Sequence, residues 1–280
     1  TVTITDAPSV TELKTINAGT SGAITLDVTN GALSGTAANL VLAFDGTVTE
    51  HTGTVTISDA PSVAQLKAIN AATTGAITLS DATGALSGSA ADLVLAFAGT
   101  VTTHTGTVAV TGGAPTVAQL KTINNASTGA ITLSTANGAL SDTAANLAVA
   151  LAGTINHTGT VTITDAPSVT ELVTINAGTT GAITLDVANG ALSGTAANLV
   201  LAFDGTVTEH TGTVTITDAP TVAQLKTINA ATTGAITLST ANGALSDTAA
   251  NLALALAGTI NHSGTVTITD APSVTELKTI

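Results

Sequence analysis

The sequence predicts an α/β repeat solenoid, with stacked parallel strands on one side and short helices on the other. Three observations carry this: a period of 52 or 53 residues, an alternating strand-like segment opening each copy, and two capped apolar stripes at helical spacing within it. The repeats are 1–53, 54–106, 107–159, 160–212 and 213–264, with a partial sixth at 265–280 identical to residues 1–16. Residues 1–53 and 160–212 differ only at Lys14/Val173, Ser21/Thr180 and Thr29/Ala188, the mark of recent duplication. Identity between such young copies says little about function.

Within one copy, Thr1–Thr5 alternates Thr with Val2 and Ile4, which reads as a half-buried strand with the Thr side chains outward. Asp6, Ala7 and Pro8 break it. Ser9 and Glu12 then form an S-x-x-E capping box, in which hydroxyl and carboxylate satisfy orphan backbone donors. The pattern recurs as Ser62/Gln65, Thr116/Gln119, Ser168/Glu171, Thr221/Gln224 and Ser273/Glu276. The helix that follows carries Val10, Leu13 and Ile16 on one stripe, and Asn17-Ala18-Gly19 stops it after two or three turns.

Gly22–Asp27 supplies a second strand with Ile24 and Leu26 inward. The Asn30-Gly31 pair is a tight-turn signal that fits either a small hairpin onto Ala32–Ser34 or a corner. Ser34 or Thr36 caps a second helix with Ala37, Leu40, Val41 and Phe44 at core spacing and Gly46 beyond its end. Thr47–Gly53 returns the chain to the next copy, with a short strand expected at Val48. Each strand face and helix stripe needs cover that one copy lacks. Stacking supplies it as a continuous parallel sheet with right-handed crossovers, advancing roughly 10 Å per copy at about 4.8 Å per strand.

Composition narrows the function. Cys, Met, Trp and Tyr are absent and charged residues are 8% of the chain, which removes disulfides, thiolate nucleophiles and Cys-ligated zinc. A net charge of −13 with Lys+Arg of 5 disfavours nucleic-acid binding, since phosphates need clustered cations. Apolar runs such as Leu147–Ala152 and Leu252–Ala257 fall far short of the ~20 residues of a membrane helix. With no Met, leader or basic segment at Thr1, and no atypical end units, the expectation is a processed chain or a window on a longer array.

The segments TITDAPSVTELKTINAGTSGAITL and ALSGTAANLVLAF resemble repeats in very large cell-surface and secreted proteins of cyanobacteria and other bacteria. The resemblance covers all the complete copies, including Ser34–Leu40 and its variant Ser141–Leu147. It implies an extracellular, adhesive, surface-layer or filamentous role without enzymatic residues. Some of those proteins also carry calcium-binding nonapeptide arrays, but this chain has no GGxGxD.

Several side chains are candidates for chemistry. Asp6, Asp27, Asp59, Asp165, Asp186, Asp218 and Asp270 end strands and, stacked, would place like charges together, so calcium is the candidate cofactor. Solvated caps are the alternative, since Gly112 and Ser80, Ser134 and Ser239 interrupt the ladder. His51, His104, His157, His210 and His262 recur once per copy, as a metal or pH column or as turn and surface residues. The Asp45, Glu50 and His51 group recurs only as Asp204, Glu209 and His210, which argues against a general acid/base site.

Lys14, Lys67, Lys121, Lys226 and Lys278 read as a solvated helix face, with Val173 as the exception. Outward Thr1, Thr3, Thr5 and Thr25 could instead form an ice- or surface-binding face, although β-propensity alone also explains them. Asn125-Ala-Ser, Asn156-His-Thr and Asn261-His-Ser fit the glycosylation sequon. The expectation is therefore a non-enzymatic extracellular rod, fibre or filament, self-associating end to end or continuing covalently. A Thr-face adhesin or ice-binding module, with glycan or surface contact, is the alternative.

Overall fold

A computed structural model describes residues 1–280 and shows repeated strand–helix units with parallel strands in small sheets. The chain forms two compact units: Thr1–Ala136 with Gly153–Asn156, and Asn137–Ala152 with His157–Ile280.

The long helices span Val10–Ala18, Val63–Ala72, Val117–Ala126, Val169–Gly178 and Val222–Ala230, with a shorter Val274–Thr279 in the partial copy. All six open on the expected capping box. At its start Ser9 Oγ accepts from Glu12 N at 3.3 Å, and Ser9 N donates to Glu12 Oε2 at 2.8 Å. That bonding, main-chain donor first and hydroxyl second, holds the exposed Glu12 carboxyl below its ordinary value. The stripe is buried as expected at Val63, Leu66 and Ile69, and in the first copy Ile16 is half-buried.

The short helices span Ala37–Ala43, Ala90–Ala96, Ala144–Ala150, Ala196–Ala202 and Ala249–Ala255. Thr36, not Ser34, is the cap, because Ser34 belongs to the strand Leu33–Gly35. The buried face is Ala37, Leu40, Ala43 and Phe44, while Val41 is only half-covered. Seven residues end before the stripe completes another turn, so Phe44 turns inward as the cap and Gly46 leaves the helix at φ +71°.

The Asn30-Gly31 segment is a corner rather than a hairpin. Leu33–Gly35 pairs in parallel with Val55–Ile57 of the next copy, and Val55–Ile57 pairs in parallel with Ile77–Leu79. The expected continuous sheet is instead a set of two- and three-stranded sheets, and all but the first unite the last strand of one copy with the opening strand or strands of the next. The first unit contains Val2–Ile4 with Ile24–Leu26, then the set just described, then Leu86–Ser89 with Val108–Thr111 and Ile131–Leu133. The second contains Leu140–Asp142 with Val161–Ile163 and Ile183–Leu185, then Leu192–Gly194 with Val214–Ile216 and Ile236–Leu238, then Leu245–Asp247 with Val266–Ile268.

Side chains explain why the sheets stop. Val48 makes a single bridge to Ile24, after which Thr49 Oγ1 accepts from Leu26 N at 3.1 Å, taking the donor a longer strand would have used. Thr102 does the same for Leu79, and Asn156 Oδ1 for Leu133 at 2.6 Å. A side-chain acceptor in place of the main chain ends the ladder without stranding an N–H.

Candidate functional site

A histidine recurs in each copy at the corner between the short helix and the next strand. His51 leaves that helix by way of Val48 and is 2% exposed, as are His104, His157 and His210. This corrects the expectation of a turn or surface histidine. The ring packs against Phe44, with centroids 5.8 Å apart, so an apolar wall covers one side. Nε2 lies 2.6 Å from Gly31 O and Nδ1 lies 3.3 Å from Thr73 Oγ1. A carbonyl can only accept, so Nε2 carries the proton and Nδ1 faces the hydroxyl. The single Thr73 hydroxyl proton is shared between Nδ1 and His51 O, which lies 2.9 Å from Oγ1, while Oγ1 accepts from Gly75 N at 3.0 Å. One imidazole thus joins Gly31 of its own copy to Thr73 of the next.

The corner repeats at His157 with Gly138 and Thr179, and at His210 with Gly190 and Thr232. His262 keeps its bond to Gly243 O at 2.8 Å but is less buried. His104 is the variant: its ring nitrogens are buried without a hydrogen-bond partner, in the copy that carries Thr83-Gly84 where the first has Asn30-Gly31.

Burial pushes the His104 and His210 imidazoles below their ordinary value of 6.5. The Thr107 main chain and then the Asp81 carboxylate at His104, and the Gly190 carbonyl at His210, pull the other way and do not win. The unfolded chain then binds more protons than the folded one below the ordinary imidazole value, so stability rises with pH there. It is fully present above 6.5 and is lost as pH falls from that value toward the lower folded value. Urea unfolding should show this loss before the carboxylates titrate. The double variant H104Q/H210Q should flatten that part of the profile, and an unchanged slope would contradict the assignment.

No group of three or more His, Asp or Glu side chains, the candidate calcium residues included, is placed to hold a metal ion. Four of them have another task. Asp59 Oδ1 accepts from Ala37 N at 2.7 Å, and Asp165, Asp218 and Asp270 accept in the same way from Ala144, Ala196 and Ala249. Each carboxylate satisfies an orphan donor in the first turn of a short helix of the preceding copy. Asp6, Asp27 and Asp186 are exposed at strand ends.

Two further residues were read too simply from sequence. Asn17, expected only as part of a helix stop, sends Nδ2 across to Leu42 O at 3.0 Å and Asp45 O at 2.7 Å, closing the carbonyl end of the short helix. Asn70, Asn176 and Asn229 repeat this. The signal was available, since an Asn recurs at that position in every complete copy. The lysines also reach across the helix pair, Lys14 to Asn39 at 2.8 Å and Lys67 to Asp92 at 2.6 Å. The Lys67 and Ser89 hydrogen bonds hold the Asp92 carboxyl below its ordinary value. With both side chains 42% exposed, such a pair adds about 0–1 kcal/mol.

Grooves between paired helices are the principal cavities. One of them, about 420 Å³, is lined by Val63, Lys67, Ala71, Ser87, Gly88 and Asp92. Its charged groups are already paired with each other. No helix is long and apolar enough to cross a membrane. Comparison with protein-family models, with curated proteins and with solved structures gives no match.

Proposed function

We propose that this chain is a non-enzymatic structural segment of a long extracellular repeat protein, its coils stacking as an α/β solenoid into a rod, fibre or surface filament. One observation carries the reading. The same sixteen-residue sequence occurs at 1–16 and 265–280, yet Val10 and Leu13 are 5% and 0% exposed where Leu33–Gly35 and the short helix Ala37–Ala43 of the same copy follow and pack on them, while Val274 and Leu277 are 73% and 52% exposed. Each stripe is covered by the strand–helix segment that follows it, and parallel pairing such as Leu33–Gly35 with Val55–Ile57 continues across the copy boundary, which fits a quasi-one-dimensional array.

The recurring polar side chains support the structural part of the reading, because His51, Thr73, Asn17, Asp59 and their equivalents are spent on holding coil to coil. The resemblance to bacterial surface repeats supports the location. Electron microscopy of chains with different repeat numbers tests it: particle length should grow in proportion, by roughly 10 Å per repeat. Globular particles whose longest dimension ignores repeat number would contradict it.

A second reading, an adhesin or ice-binding surface, is favoured by the register. Ser34, Thr56 and Thr78 stand side by side, as do Ser193, Thr215 and Thr237, so parallel pairing aligns outward hydroxyls in rows. Thermal hysteresis or glycan capture by the soluble chain distinguishes this reading from a purely structural one.

A further inference from the structure

We infer that the Asn-Gly corners are self-modifying sites, at which Asn30 converts to aspartyl and isoaspartyl forms in the folded chain. Asn30-Gly31, Asn137-Gly138, Asn189-Gly190 and Asn242-Gly243 occupy the same corner in four copies, and in each the Asn is exposed. No hydrogen bond holds the Asn30 side chain, in contrast to Asn17, whose Nδ2 is fixed on carbonyls of the short helix. The corner lies outside both helix and strand, and the Gly31 N–H has no partner, whereas the Gly243 N–H donates to Thr240 O at 3.3 Å.

The chemistry follows from that placement. The Gly31 main-chain nitrogen, unshielded by any Cβ of its own residue, attacks the Asn30 side-chain carbonyl carbon. An N–C bond forms, the side-chain amide C–N bond breaks, and ammonia leaves with the proton given up by the glycine nitrogen. Water then opens the cyclic imide at either carbonyl, giving Asp or its isomer with the main chain running through the side-chain carbon. Each conversion adds a negative charge to a chain already at −13.

The isomer also matters to the buried corner. It inserts a methylene into the main chain just before Gly31, whose carbonyl accepts the His51 Nε2 proton at 2.6 Å. Gly53 packs on the Asn30 carbonyl so closely that a Cβ there would overlap it, leaving the lengthened chain little room. Conversion therefore acts on the bond that joins one coil to the next. In the second copy Thr83-Gly84 stands at this corner, so that copy is an internal control without the reaction.

The test is peptide mapping by mass spectrometry, with isoaspartate resolved chromatographically, on the full chain incubated folded and in urea at neutral and mildly alkaline pH. The expected result for the folded chain is conversion at Asn30 several-fold faster than at Asn242 and than at Asn17, accelerating with pH as the attacking nitrogen loses its proton. N30Q should remove the change at that corner while leaving the circular dichroism spectrum unaltered. If the folded chain keeps Asn30 intact while the urea-unfolded chain converts, the packing forbids ring closure and the inference is overturned. Equal rates at Asn30 and Asn17 would overturn it as well.

Discussion

Replacing Gly75 with Ala is expected to destabilise the chain by about 3 kcal/mol or more, at or beyond the upper end of overpacking costs. The reason is a main-chain approach rather than an unusual dihedral. A Cβ at Gly75 would overlap the carbonyl oxygen of Gly53, with the Thr52 oxygen also inside van der Waals range. Neither is the movable end of a side chain, so relief requires the Thr52–Gly53 and Gly75 main chains to separate. Gly53 precedes Val55–Ile57 and Gly75 precedes Ile77–Leu79, strands that pair in parallel, so separation would stretch that ladder as well. It would also pull Thr73 from His51, because Gly75 N donates to the same hydroxyl that bonds His51 O.

The same approach joins Gly129 to Gly106, Gly181 to Gly159 and Gly234 to Gly212, so the effect belongs to the architecture and not to one copy. Gly113→Ala is the matched control, since a Cβ there meets nothing within 4 Å and its φ lies outside the left-handed region. That variant should change stability by no more than about 0.5 kcal/mol. Urea denaturation of both variants checks the pair. A Gly75→Ala chain as stable as the Gly113→Ala chain would mean that Gly53 and Gly75 are not in main-chain contact.

Local structure was legible in the sequence because its causes are local. The [ST]-x-x-[EQ] boxes mark every long-helix start, and Val63, Leu66 and Ile69 mark the buried stripe, because capping and amphipathic spacing act within a few residues. The pairing scheme depends on a longer range. Leu33 pairs with Val55 across a short helix and with nothing in its own copy, and an Asn-Gly signal beside it cannot distinguish a hairpin from a corner. Only the stacked neighbour sets that register.

The candidate site was less legible. His51 was read as a turn or surface residue, or as one of a metal or pH column, because imidazole is polar, yet Phe44, Thr73 and Gly31 give it an apolar wall and partners for both nitrogens. Two of those partners lie about twenty residues away on either side. The Asp residues were seen as one acidic ladder because sequence shows their charge and not their acceptor role. Asp59 spends its oxygen on Ala37 N of the preceding copy, a bond that no spacing rule within one copy reveals. The glycines following His51-Thr52 and Thr73-Thr74 were the overlooked clue, since Gly53 and Gly75 mark where main chains touch.

The central claim is that one copy has no self-sufficient core. Excising residues 54–106 removes the partners of Val55–Ile57 at Leu33–Gly35 and of Leu86–Ser89 at Val108–Thr111. It also severs the His51 bridge to Thr73 and the His104 bridge to Ser127. What remains is the pair Val55–Ile57 with Ile77–Leu79 and its bridge to Val101, beside one helix pair. A two-stranded sheet of that size is marginal in water, and a chain this short buries too little apolar surface to offset its ordering entropy.

The most direct measurement is thermal unfolding of excised 54–106 beside the 280-residue chain, followed by circular dichroism. The account predicts a cooperative transition for the whole chain and a disordered spectrum with no transition for the single copy. A single copy that melts cooperatively, at the temperature of the whole chain, would contradict it.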